Sequence, residues 1–248
     1  MIKLLLSFSL LFINSVTVYC LTLSDIRTEI RRNINDNPTD TTRRRYTDAV
    51  LLDYINEAQR DINNTTWLAE KTTSYILAQG VTYYALPNDL LAIKQVHFKN
   101  TAGQTLDLEE YSRNQLYEKI PTWERQTGTP VRYWVSYNTS PVISAASTLN
   151  ISYMPIPTNT STGTVTIWYV NSVTDLSSDS DTPFEGRRYL TPYHMSIAYG
   201  ATYRIKIIEG KNDEAVVYQS MYTNYINLIR NRIGQMPNYN PSFSAGKP

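Results

Sequence analysis

The sequence predicts an α+β fold in which helices from both ends of the chain pack with a central, mostly antiparallel β-sheet or small β-sandwich. Apolar residues recur at helical spacing after residue 21 and again after residue 190, while residues 72–174 alternate with a period of two. No repeat recurs at a fixed period, so a solenoid or a propeller is disfavoured.

The first twenty residues stand apart. Lys3 precedes an apolar run from Leu4 to Ile13 and a more polar stretch ending at Cys20, the three-part pattern of a secretory signal. The run is too short to span a bilayer, and the bulky Tyr19 before Cys20 argues against a lipoprotein. Residues 1–20 therefore read as a signal-like leader, as an upstream extension with the true start at Leu21, or as a buried helix.

Residues 21–234 form the expected domain. Leu23, Ile26, Ile30 and Ile34 place a first helix at 23–35, with Thr22 or Ser24 as its cap and Asp25 at its positive end. The stretch NDNPTDTTRRR is a loop around Pro38 that ends in Arg43, Arg44 and Arg45. A second helix spans 47–64, with Leu51, Ile55, Ala58 and Ile62 as its apolar stripe, and packs antiparallel to the first. The runs TTSYILA, VTYYALP, AIKQVHF, VRYWVSY, LNISYMP and TVTIWYV, rich in β-branched and aromatic residues, are the strands. A short helix interrupts them near Tyr111 to Ile120, and residues 175–186 form a polar loop. Helical spacing returns over 190–209, stopped by Gly210. Asn212 then caps a last helix, 212–233, whose stripe is Val217, Met221, Tyr225, Leu228 and Ile229. Residues 235–248, with three prolines and no period, form an extended C-terminal tail that needs a partner to become ordered.

Composition excludes much. The 248 residues hold one Cys and two His, which rules out a disulfide framework or a multi-cysteine zinc site and leaves little for acid–base chemistry. A net charge of +1 supplies no global field toward nucleic acid. Twenty Tyr, with abundant Thr and Asn, suit contact surfaces where a ring packs and a hydroxyl stays wet. Glycines are too widely spaced for a phosphate-cradling loop. His97 and His194 sit among apolar or aromatic neighbours and read as packed side chains rather than catalytic bases. Glu109, Glu110 and Glu124 are better explained as a solvated face than as a carboxylate pair. Asp175, Asp179 and Asp181 lack the turn glycine and bidentate acid of a calcium loop. Trp67, Trp123, Trp134 and Trp168 read as core or interface. Arg43, Arg44 and Arg45 are candidates for contact with phosphate or with an acidic partner. No catalytic, cofactor or metal site is expected, and the chain reads as a protein that is not an enzyme.

Four blocks resemble those of bacteriophage head-to-tail adaptor, or connector, proteins: RRRYTDAVLLDYINEAQRDI at 43–62, YYALPNDLLAIKQVHF at 83–98, TGTPVRYWV at 127–135 and MPIPT at 154–158. The later PYHMSIAYGATYRI at 192–205 resembles that family's helix after the sheet. The resemblance spans about residues 23–230. It implies a structural virion protein made in the host cytoplasm and lodged at the neck. There it forms a dodecameric ring beneath the portal protein, meets a downstream tail or nozzle protein, and surrounds a channel through which DNA passes without sequence-specific binding. No membrane is implied. The tail and the preceding helix are the expected portal-docking elements, with Met236, Tyr239 and Phe243 as anchors. A genuine leader points instead to an exported β-rich module recognising a glycan or receptor. Sequons at Asn63, Asn64, Asn138, Asn150 and Asn159 bear on that alternative.

Overall fold

Thr22 starts the first helix, α1 (Leu23–Asn33), by accepting a hydrogen bond from the Asp25 amide while the Asp25 carboxylate takes the Thr22 amide. Such a reciprocal cap contributes about 1 kcal/mol. The computed structural model describes residues 20–36, 44–137, 149–158 and 163–234. Thr47 caps α2 (Asp48–Thr66), which runs to Trp67 in the left-handed region, two residues beyond the expected end. Two further helices, α4 (His194–Ile208) and α5 (Asn212–Gly234), complete the helical layer, with the short α3 (Arg113–Lys119) in the middle of the chain.

α4 is the centre of that layer and touches α1, α2 and α5. Its Gly200 explains part of the PYHMSIAYGATYRI block: a Cβ there would lie 3.0 Å from the Tyr222 ring and 3.3 Å from Ala58. The absent side chain lets three helices approach closely. α4 ends in a Schellman motif at Gly210, whose φ is 72°, with Gly210 N–H on Ile207 and Lys211 N–H on Lys206. The expected helix at 190–209 is shorter, because Arg188–Tyr193, with Pro192 inside, forms a 3-10 turn first. Asn212 is the first helical residue of α5 rather than its cap.

The β-rich middle is the small-sandwich form of the expected fold. One sheet has the order β1 (Glu70–Ile76), β8 (Gly163–Asn171), β3 (Leu90–Asn100), β4 (Thr105–Asp107), all antiparallel. The other has β2 (Tyr83–Ala85), β7 (Leu149–Met154), β6 (Arg132–Tyr137), β5 (Glu109–Glu110), with β5 parallel to β6. All six strands read from the sequence are present; β4 and β5 are too short to leave a periodic signal. Val96, Phe98, Val165, Ile167 and Tyr169 from the first sheet meet Tyr133, Ile151 and Tyr153 from the second. The outer face of the second sheet is covered in turn: Trp134 and Met154 pack with Leu116 of α3 and Trp123. Alternation along β6 therefore feeds two cores, Tyr133 on one side and Trp134 on the other.

Helices and sandwich keep separate cores. They are joined at the point where the chain leaves β8. Three buried amides on one face of α2 grip that return. Asn56 donates to Leu176 O and accepts from Leu176 N–H. Gln59 donates to Thr174 O and accepts from Phe184 N–H. Asn63 donates to Asn171 O and accepts from Ala69 N–H. The apolar stripe read from the sequence lies beside this ladder of amides. Urea unfolding of Gln59→Leu should fall by roughly 2–4 kcal/mol, since two buried backbone groups lose their partner. Val217→Ala, on an exposed position, should shift less than about 0.5 kcal/mol. Equal losses would contradict the ladder.

Candidate functional site

The last helix carries apolar side chains on two opposite sides. Ala215, Tyr222, Ile226 and Ile229 face α4 and the helical core, and the Tyr222 hydroxyl donates to Asp61 at 2.5 Å. Val217, Met221 and Leu228 point the other way and are 52%, 40% and 56% exposed. The sequence stripe that joined them to Ile229 is thus split. The close contact at Gly200 rotates Tyr222 inward, and the spacing of 217, 221 and 228 then places them on solvent. Ile207 and Ile208 extend the exposed apolar surface at the end of α4.

At the far end of α5 a cleft of about 440 Å³ opens between Leu68, Tyr189, Tyr193 and Ile229, with Arg188 and Arg232 on its rim. It lies where the chain leaves α5 for the tail. Met236, Tyr239 and Phe243 themselves lie outside the described residues, as do residues 1–19, Arg43, Asn138 and Asn159.

The two described arginines of the triplet are engaged within the chain. Arg44 bonds Asp48 at 3.3 Å, and Arg45 bonds Glu209 at 2.6 Å and also the Ile34 carbonyl. The acidic neighbours of Arg44 and Arg45 are thus residues of the same protein. Beside them Arg31, fully enclosed, donates to Asp36 and Asp48 at 2.6 Å each and to Tyr46 O at 3.0 Å. Arg31 closes the α1–α2 connection; nothing in its spacing distinguishes it from the exposed Arg32.

Residues with chemical potential are used structurally. Asp175 pairs with Arg60 and Asp179 with Arg27, while Asp181 accepts the Ser177 and Ser178 amides, which hold its carboxyl below the usual range. Glu124 accepts from the Tyr117 hydroxyl and Glu109 lies 3.8 Å from Arg132. Trp123 and Trp134 meet edge to face at 4.7 Å in a core, whereas Trp168 stands on the outer sheet face against His97. Among the described residues no three His, Cys, Asp or Glu could hold a metal ion, and no helix is long and apolar enough to cross a membrane. The sequons at Asn63 and Asn150 are buried, so a glycan has no access to either.

His194 is completely buried, with Nδ1 donating to the Leu21 carbonyl at 3.2 Å. Burial lowers its pKa to about 4. An unfolded chain, with a His pKa of about 6.5, binds the extra proton first as pH falls. Stability is complete above pH 6.5 and declines toward pH 4, by up to about 3 kcal/mol. Chemical unfolding of His194→Gln between pH 6.5 and 5 should show a flatter slope than the parent; an unchanged slope would assign the effect elsewhere.

No curated protein matches the sequence. Among solved structures, a virion of a native gene transfer agent particle is similar at 14% identity and a TM-score of 0.26, covering 77% of this chain and 80% of that one. The neck of an empty gene transfer agent particle is similar at 14% identity and a TM-score of 0.25, with the same coverage. The family model of the SU10 adaptor protein matches residues 21–242, the whole of the helical layer and the sandwich together, and the chain belongs to that adaptor family.

Proposed function

We propose that this chain is a structural virion protein that forms a ring beneath the portal, joins the capsid to the tail and surrounds the DNA exit channel. Membership of an adaptor family supports the coarse role. The observation that carries the finer one is the outer face of α5, where Val217, Met221 and Leu228 stay exposed on a helix whose opposite side is already buried. An apolar stripe on a helix that needs no further cover marks a contact surface. The C-terminal tail continues from this helix. Helix and tail dock on the portal, with Met236, Tyr239 and Phe243 as anchors.

Copies of the chain complete the ring through heterologous contacts, twelve per ring in the arrangement the resemblance implies, and a tail or nozzle protein binds the opposite side. With a net charge of +1, the subunit suits a channel that DNA traverses without being held. The ring assembles in the host cytoplasm and resides at the virion neck. Arg44 and Arg45 keep their ion pairs with Asp48 and Glu209, and the triplet Arg43, Arg44 and Arg45 stays the candidate for contact with phosphate or an acidic neighbour.

Portal attachment tests this reading. Deleting residues 235–248, or introducing Met221→Lys with Leu228→Lys on the exposed stripe, should weaken co-sedimentation with purified portal rings by about tenfold or more. The subunit's melting temperature should stay close to that of the parent. Undiminished attachment in both variants would end the proposal.

A further inference from the structure

The sheet β1-β8-β3-β4 has an even number of strands, all antiparallel, so its two edge strands run in opposite directions. If copies are related by rotation about an axis near the strand direction, β4 of one meets β1 of the next antiparallel. The other sheet lacks this property. Its β5 runs parallel to β6, so the edges β2 and β5 point the same way, and they are three and two residues long.

The hydrogen-bonding parity of both edges matches. Along β1, Ala69 O accepts from Asn171 and Leu77 N–H donates to Gly163, so odd-numbered residues bond β8. The amides and carbonyls of Glu70, Thr72, Ser74 and Ile76 point away from the sheet. Along β4, Gln104 O accepts from Asn100 and Leu108 N–H donates to Val96, so the backbone groups of Thr105 and Asp107 point outward. Side chains agree as well. Thr72, Ser74 and Ile76 share the outer face of the sheet with Thr105 and Asp107, while Leu106 lies on the inner face, opposite Phe98. Both edges leave apolar surface uncovered: Ile76 is 79% exposed and Leu106 41%.

We propose that β4 of each copy adds to β1 of the next, making the first sheet continuous from subunit to subunit. The partner is a second copy of this chain, and the contact is head to tail. Thr105 and Asp107 supply and receive the backbone hydrogen bonds, and Leu106 gains cover beside the inward-facing Thr73 or Tyr75. This inference rests on the ring reading and assigns it a specific seam. It also explains why a seven-residue edge carries neither a bulge nor a proline, with Lys71 as its one inward charge.

The test uses full-length protein with Cys20→Ser, so that no native thiol remains. Thr105→Cys is combined in turn with Thr72→Cys, Ser74→Cys or Ile76→Cys, because paired strand residues have the separation a disulfide spans. After oxidation, at least one pair should give a ladder of dimers, trimers and higher species, while single-cysteine variants stop at dimers. Adding Thr72→Pro to the Ser74 or Ile76 pair, or Ser74→Pro to the Thr72 pair, removes an outward amide and no bond to β8, and should abolish the ladder while leaving the far-UV circular dichroism unchanged; if Pro alters that spectrum, Lys at the same position takes its place. A ladder that persists, or no pair exceeding its single variants, overturns the seam. If mass photometry still counts closed rings in that case, the ring reading stands and only this pairing falls; if no ring forms even on the portal, both fall.

Discussion

Three carboxamides on α2, at Asn56, Gln59 and Asn63, hold the helical layer to the chain that leaves β8. Each uses both its donor and its acceptor on main chain that would otherwise be buried without partners. In a low-dielectric interior a fully satisfied polar network is specific, and a half-satisfied one is costly. The ladder therefore fixes where the chain leaving the sandwich re-enters the helical layer. It also over-determines a strained segment: Phe184 and Glu185 both have positive φ, and the Phe184 amide is anchored on Gln59.

From that junction the two bodies follow separately. The helices close around α4, with the enclosed Arg31 tying Asp36 at the end of α1 to Tyr46 and Asp48 at the start of α2. A buried guanidinium is weak as a source of stability, but it punishes alternatives, since any arrangement that parts Arg31 from Asp36 and Asp48 strands its charge. The sandwich is held by alternating side chains, with Tyr133 and Tyr153 buried so deeply that desolvation raises both phenols well above their ordinary range. Neither body needs α5's outer side or the edges of the first sheet. Those are the surfaces to which the proposed portal and ring contacts are assigned.

Tyrosine abundance acquires a physical meaning in this setting. Tyr75, Tyr84 and Tyr153 form a chain of tilted rings, 5.9 and 5.5 Å apart, inside the sandwich. Tyr75 and Tyr84 send their hydroxyls to backbone groups, at Ala85 O and Ala78 N–H. Tyr169 donates to Asp89, which also binds Lys71. The rings supply buried area and the hydroxyls satisfy loops at the rim, so a modest sandwich keeps its connections ordered. The asparagines and glutamines do the same inside the helical layer.

The legible features were those governed by local rules. Thr22 and Thr47 cap helices because a short hydroxyl reaches the third amide beyond it; Gly210 ends α4 because it alone there adopts a left-handed turn without cost; six strands announced themselves by alternation. Resemblance of the ordered blocks pointed to the adaptor family that the match over residues 21–242 establishes. Spacing put Val217, Met221, Tyr225, Leu228 and Ile229 on one stripe of α5, whereas Tyr222, packed at Gly200, and Ile229 face inward and Val217, Met221 and Leu228 face solvent, because α5 has apolar residues on two sides and only packing decides which is buried. Asn56, Gln59 and Asn63 resembled ordinary surface amides, since their partners lie more than a hundred residues away for all but one of their bonds. By itself the sequence determined the elements and some of their ends, such as Thr22 and Gly210, through capping, turn chemistry and period. Only the tertiary structure decided which polar groups are buried and which edges are free, because burial and pairing depend on neighbours that the chain brings together only by folding.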